Sequence, residues 1–293
     1  MSDNVVDLHR FASFFTDKIS KLRLTLSSQP ANVAMASPHC PSPPTSPPYF
    51  STFRPASESE ISKILLSCPN KQCDSDPIPT WLLKECSSVL IPTITNIVNL
   101  SLSSGQFHPI LKQSIISPIL KKFTFDKDFL SNYRPISSHS VVSKIIERIV
   151  KSRLTNHLSS NNFLNLHQSA YCKHHSTETA LSYIHDHLIN AIGSQKISCL
   201  CLLDLSAAFD TKDHNILITR LSYWIGIHGS VLNWFKCYLS SRSFRVKSNA
   251  SLRRIPVCVL QLISQVRRGR PGGLVQLDDG FLPSYSIVME CRK

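Results

Sequence analysis

The run Ile197-Ser-Cys-Leu-Cys-Leu-Leu203, closed by Asp204, constrains the fold more than any other stretch. It is a nearly continuous apolar run, consistent with a strand buried on both faces. A carboxylate at the end of such a strand needs a reason, because burying an unpaired charge is costly. One reason is a bound divalent cation, since Mg²⁺ prefers hard carboxylate oxygens completed by phosphate. The other is a local role, in which Asp204 caps the turn that follows. The small residues Ser206, Ala207 and Ala208 after it would let a ligand approach the backbone closely, with Phe209 as a flat wall beyond.

Helical periodicity surrounds this strand. Phe11, Phe14, Phe15, Ile19, Leu22 and Leu26 share one face of an N-terminal helix within 1–29. Seven prolines between Gln29 and Phe50 then predict a linker, 30–50, that cannot pack. Ser57 and Glu60 read as a capping box, and Pro69 stops that helix. Pro79 opens a longer one, running through Trp81, Leu82, Val89, Ile94, Ile97 and Leu100 to Gly105. Ile115–Leu120 reads as a strand, and Asn132–Ser137 as its return in a basic hairpin, with a loop over 123–131 between them. Val141, Val142, Ile145, Ile146, Ile149, Val150, Leu154 and Leu158 then line one helix face, with Glu147, Arg148, Lys151 and Arg153 covering the other. Further helices are expected over 177–192, 214–225 and 230–240, and a short strand around Phe244 and Val246. This alternation of strands and helices argues for an α+β fold.

Charge points to a polyanion. The chain carries net charge +13, with a pI of about 9.4, which suits nucleic acid or a membrane surface. Nine basic and three acidic residues fall in 111–153, a net +6. Such charges make either a solvated helix face or a surface that tracks phosphates. No apolar run reaches the ~20 residues a bilayer span needs. Asp3 and Asp7, without an apolar core between flanks, do not make a secretory signal. The protein is therefore expected inside the cell, in nucleus or cytoplasm. Its ten cysteines include no Cys-x-x-Cys, and His174 and His175 have no cysteine pair at zinc-ligand spacing, so reduced thiols are expected.

Leu202-Leu-Asp-Leu-Ser-Ala-Ala-Phe-Asp210 resembles the first catalytic motif of LINE-type (non-LTR) reverse transcriptases. Further resemblances follow in the family's order. Phe14–Ile19 is similar to the segment leading into that polymerase domain. Leu120-Lys-Lys122 with Asn132–Ser137 is similar to the fingers hairpin, and Ser143–Val150 to the helix after it. Gln168–Leu181 resembles a further fingers motif, and Val231–Lys247 the palm helix with the strand beyond. The ordered set spans 10–252 and is far more specific than any one motif.

The resemblance implies a partial right-hand polymerase, with fingers and an incomplete palm over 51–252 and no thumb. Asp204 would be the catalytic, metal-binding carboxylate, with the Leu205 carbonyl as second ligand to Mg²⁺. The amides of Ala207 and Ala208 would meet the incoming triphosphate, and Phe209 would exclude a 2′-hydroxyl. Lys121, Lys122 and Arg134 would lie near triphosphate or template, while Asp210 and Asp213 serve the local turn. The implied partners are an RNA template, a DNA primer or RNA–DNA hybrid, and deoxynucleoside triphosphates, with no membrane. The family's Tyr-x-Asp-Asp hairpin and its Gly/Pro-Gln-Gly loop do not occur in the 293 residues. Asp278-Asp279 follows Gln276-Leu277 instead of a Tyr-x pair. Cys172 and Lys212 depart from the family's basic and apolar residues. The stretch 253–293 matches nothing in the family and is expected to be an unrelated, disordered tail. The reading is a reverse transcriptase fragment inactive by itself, the alternatives being a non-catalytic nucleic-acid-binding remnant or an unstable product.

Overall fold

The computed structural model describes residues 8–28, 48–70, 76–164, 169, 172, 174–195, 197–204, 213–247, 252–256, 274–277 and 285–292. Helices and two small sheets are mixed in an α+β arrangement. The chain divides into two compact units: one comprises Met1–Thr155 and Asp213–Val259, the other Asn156–Lys212 and Leu260–Lys293.

In the first unit, α1 (Leu8–Ser28) lays its aromatic stripe on a four-stranded sheet. Phe11 and Ala12 are buried with Ile116, Phe244 and Val246, and Phe15, Leu130 and Tyr133 close over them. The sheet has the order β2-β1-β4-β5. β1 (Gln113–Leu120) and β2 (Tyr133–Ser138) form the antiparallel hairpin read from sequence, with Ile119 opposite Arg134 and Leu120 opposite Tyr133. β4 (Ser243–Lys247) runs parallel to β1, and β5 (Leu252–Pro256) antiparallel to β4.

Helices make the other core of this unit. α2 (Glu58–Ser67) begins where Ser57 accepts a hydrogen bond from the Glu60 amide. The expected single helix from Pro79 is two, α3 (Thr80–Glu85) and α4 (Ser87–Ser104), parted at Cys86. Pro92, inside α4, leaves the Ser88 carbonyl without its helical donor. Gly105 ends α4 in the left-handed conformation at φ 67°, and a Cβ there would stand 2.7 Å from the Ser230 carbonyl oxygen. α5 (Val141–Ser160) buries Ile145, Ile146, Ile149 and Val150 as its periodicity requires. α7 (His214–Ile225) and α8 (Gly229–Leu239) complete the set. Trp234 of α8 is wholly buried, stacked on Tyr238 at 4.9 Å and edge-on to Phe107 at 5.5 Å and Phe53 at 6.1 Å. Its indole N–H donates to Ser101 Oγ, so the one polar atom of the ring is satisfied.

The second unit holds α6 (Thr177–Gly193) and the strand order β3-β7-β6. Ser176 and Thr179 cap α6 reciprocally, each side chain accepting from the other's amide at 3.2 and 2.9 Å. β3 (Ile197–Asp204) pairs with β7 (Tyr285–Arg292), and β7 with β6 (Leu274–Leu277), all antiparallel. The expectation of a strand buried on both faces fails at two described side chains. Ile197 is 83% exposed and Leu200 41% exposed, so the described faces of β3 at these positions are not covered. Strands β5, β6 and β7 lie largely or wholly in 253–293, the stretch left without elements from sequence. Leu274-Val275-Gln276-Leu277 and Ile287-Val288-Met289 supply the β-branched and apolar residues such strands favour.

Among the described residues, Cys68, Cys86, Cys172 and Cys237 form no disulfide. No described helix is long and apolar enough to cross a membrane.

Candidate nucleic-acid and nucleotide site

The residues expected at the site from sequence are divided between the two units. In the second unit Asp204 closes β3, directly opposite Tyr285 of β7. Tyr285 is in turn opposite Leu277, the last residue of β6. Asp204 and Leu277 therefore flank one central residue, and the chain continues from Leu277 into Asp278-Asp279. Asp278 and Asp279 lie outside the described residues, as do Leu205, Ala207, Ala208, Phe209 and Asp210. Among the described residues no three of His, Cys, Asp and Glu gather where a metal ion could sit.

In the first unit the β1–β2 hairpin carries Lys121 and Lys122 just after β1 and Arg134 on β2. The exposed Lys121 donates from Nζ to the Ser131 carbonyl at 2.8 Å, and its amide donates to the Asn132 carbonyl. Lys122, also exposed, holds its ammonium 5.5 Å from the centre of the Phe125 ring. Arg134 is half-buried on β2 opposite Ile119. Asp213 serves the local turn, as expected: its carboxylate caps α7, accepting from the amides of Asn215 at 2.8 Å and Ile216 at 3.0 Å. Those bonds, the Ile216 one foremost, hold its carboxyl below the usual carboxylate range.

Two charged groups expected on the solvated face of α5 are turned inward. Arg153 forks onto Glu60, at 2.9 and 2.7 Å, and donates further to the carbonyls of Arg54 and Pro55. This is why the capping box of α2 is only half made: the Glu60 carboxylate takes a bidentate cation in place of the Ser57 amide. Glu147, with 16% of its side chain exposed, accepts from the Tyr238 hydroxyl at 2.9 Å and from Ser143 at 3.4 Å. Arg242 stands 3.9 Å from that carboxylate, with its guanidinium 4.3 Å from the centre of the Tyr238 ring. Burial pushes the Glu147 carboxyl up, and Arg242 with the two hydroxyls offsets only part of that. Beside them His139 is buried, with its pKa lowered to about 4 by burial and then by Arg242 and Lys144. The signal for this cluster was Ser143, one helical turn before Glu147 and within the apolar stripe of α5.

Residues 119–260 match the family model of reverse transcriptase (RNA-dependent DNA polymerase). The chain is 30% identical over 127 residues to a probable RNA-directed DNA polymerase from transposon BS of Drosophila melanogaster. That alignment covers 42% of this chain and 14% of the relative. It is 26% identical over 200 residues to a probable RNA-directed DNA polymerase from transposon X-element of the same organism, covering 68% of this chain and 22% of the relative. The chain thus spans less than a quarter of the length of these curated relatives.

Proposed function

We propose, on the premise that residues 119–260 of this chain are reverse transcriptase sequence of the LINE type, that it supplies fingers and part of the palm of an RNA-directed DNA polymerase from a non-LTR retrotransposon. The observation that carries this reading is the span of the match. It includes both Lys121, Lys122 and Arg134 of the hairpin and the strand that ends in Asp204. In this reading Asp204 is the catalytic carboxylate, and the Leu205 carbonyl is its companion as a ligand to Mg²⁺. The ions, when bound, activate the primer hydroxyl and support the leaving pyrophosphate. The amides of Ala207 and Ala208 hold the incoming triphosphate, and Phe209 sits under its sugar. Lys121, Lys122 and Arg134 neutralise phosphates of nucleotide or template. The partners are an RNA template, a DNA primer or RNA–DNA hybrid, and deoxynucleoside triphosphates.

Two cations about 3.5–4 Å apart need more than one carboxylate between them. Asp204 is the only aspartate of that set that the family motifs identify in the 293 residues. This polypeptide by itself therefore binds nucleic acid without extending a primer. A filter-binding titration of the chain with an RNA–DNA hybrid tests the binding half. Affinity is expected to fall linearly on logarithmic axes as salt rises, with a shallower slope in the Lys121→Ala, Lys122→Ala, Arg134→Ala triple variant. No binding at low ionic strength would remove this reading.

The register of the second sheet favours a second reading. Because Leu277 and Asp204 both neighbour Tyr285, Asp278 or Asp279 could join Asp204 at one cation. Primer extension by the wild-type chain, abolished in both Asp278→Ala and Asp279→Ala, would establish that alternative.

A further inference from the structure

The connection between β1 and β2 holds aromatic rings out into solvent. Its sequence sets three rings among three lysines and two aspartates: Lys121-Lys-Phe123-Thr-Phe125-Asp-Lys127-Asp-Phe129. Phe123 is fully exposed and Phe129 is 62% exposed, so neither ring stabilises the core as buried phenyl groups do elsewhere in this unit. The loop backbone is nevertheless tied down. Asp126 accepts from the Asp128 amide, Asn132 donates to the Asp126 carbonyl, and the Tyr133 hydroxyl donates to the Lys127 carbonyl. Lys121 closes the neck by donating to Ser131. A loop braced in this way fixes the backbone positions from which its rings project.

Beside it lies a cleft of ≈ 590 Å³ between the loop and α1. Phe129 and Asp128 form one wall, and Phe14, Arg10 and Asp17 the other. Phe11 and Ala12, sunk in the core, anchor the α1 wall, and Phe11 meets Tyr133 edge-on at 6.1 Å. The walls thus combine flat apolar faces with groups able to donate to or accept from the edge of a heterocycle. A protein partner would favour a contiguous aliphatic patch, whereas these rings are separated one by one by lysine, threonine and aspartate. Exposed rings with lysines beside them suit unpaired nucleobases, which stack on any aromatic face while the lysines meet the phosphates. Paired bases inside a duplex do not offer those faces.

We propose that the β1–β2 loop and α1 form a stacking platform for unpaired bases of a single-stranded nucleic acid, with Phe123 and Phe129 as the stacking rings and Lys122 and Lys127 on the flanking phosphates. The proposal rests on the nucleic-acid-binding reading above and names the form of the strand this face takes. The test is fluorescence anisotropy of the full chain with a labelled single-stranded uridine oligomer and with an RNA duplex of equal length. The Phe123→Ala, Phe129→Ala double variant is expected to bind the single strand about tenfold or more weakly, with an unchanged salt slope and unchanged duplex affinity. The Phe123→Tyr, Phe129→Tyr variant keeps both rings and is expected to bind like wild type, which separates lost stacking from lost structure. Equal single-strand binding by wild type and the alanine variant overturns the platform alone, as does an equal loss on the duplex. Absence of binding by the wild-type chain to either probe, even at low salt, overturns the nucleic-acid reading and the platform with it.

Discussion

α5 and α6 are helices of similar length, 20 and 17 residues, and both are rich in apolar side chains, yet they are buried to very different extents. α5 sinks Val141, Ile145, Ile146, Ile149, Val150 and Leu154. α6 buries Ala180, Ile184 and Ala191, and leaves Leu181, Tyr183, Ile189 and Ile192 exposed. The difference lies in what is packed on each, not in periodicity. The first unit gathers helices and an aromatic cluster around Trp234, whereas among the described residues of its unit α6 has the small sheet of β3, β7 and β6 beside it. The edge strand β3 repeats the pattern with Ile197 and Leu200. Hydrophobic spacing reports where a helix could be buried; the partners available decide whether it is.

The contrast can be broken most forcefully at Trp234. Trp234→Ala removes a wholly buried ring and its bond to Ser101, and is expected to cost about 4 kcal/mol of the first unit's stability, read by urea denaturation. Next, Ile149→Ala on α5 is expected to cost about 3 kcal/mol in the same assay. A loss below about 1 kcal/mol there would contradict the packing described for α5.

The third expectation concerns pH. His139 has its pKa lowered from its ordinary value of 6.5 to about 4 by burial and by Arg242 and Lys144. Folding thus favours the neutral ring. The resulting stability is fully present above pH 6.5 and is lost as pH falls from there toward 4, up to about 3 kcal/mol. His139→Gln is expected to flatten that part of the stability curve, measured by thermal unfolding across the window. The smallest effect belongs to α6. Ile189→Ala is expected to change stability by less than about 0.5 kcal/mol, because its side chain is already in solvent. A loss as large as that of Ile149→Ala would erase the contrast.

Local signals carried much of this fold. The helical spacing of α5, Gly105 after α4, the capping Ser57 of α2 and the β1–β2 hairpin all depend on residues close in sequence. What escaped depends on distant partners. Glu147 looked solvated until Tyr238 and Arg242 arrived from α8 and the turn after it. Glu60 looked like a capping carboxylate until Arg153 claimed it. Ile197 and Leu200 looked buried because an apolar run carries no mark of what covers its faces. The pairing of β3 with β7 joins residues more than eighty apart, beyond the reach of any local pattern. For the candidate site, the hairpin lysines and the strand ending in Asp204 were legible from motif order, and the exposed rings of the β1–β2 loop were not.

The most direct measurement is primer extension on an RNA template with magnesium and deoxynucleoside triphosphates, comparing the wild-type chain with Asp204→Ala. A chain that offers one aspartate of the polymerase set should bind the hybrid yet add no nucleotide, so both proteins should leave the primer unextended. Extension by the wild type that vanishes in Asp204→Ala would show a complete metal centre and contradict the account.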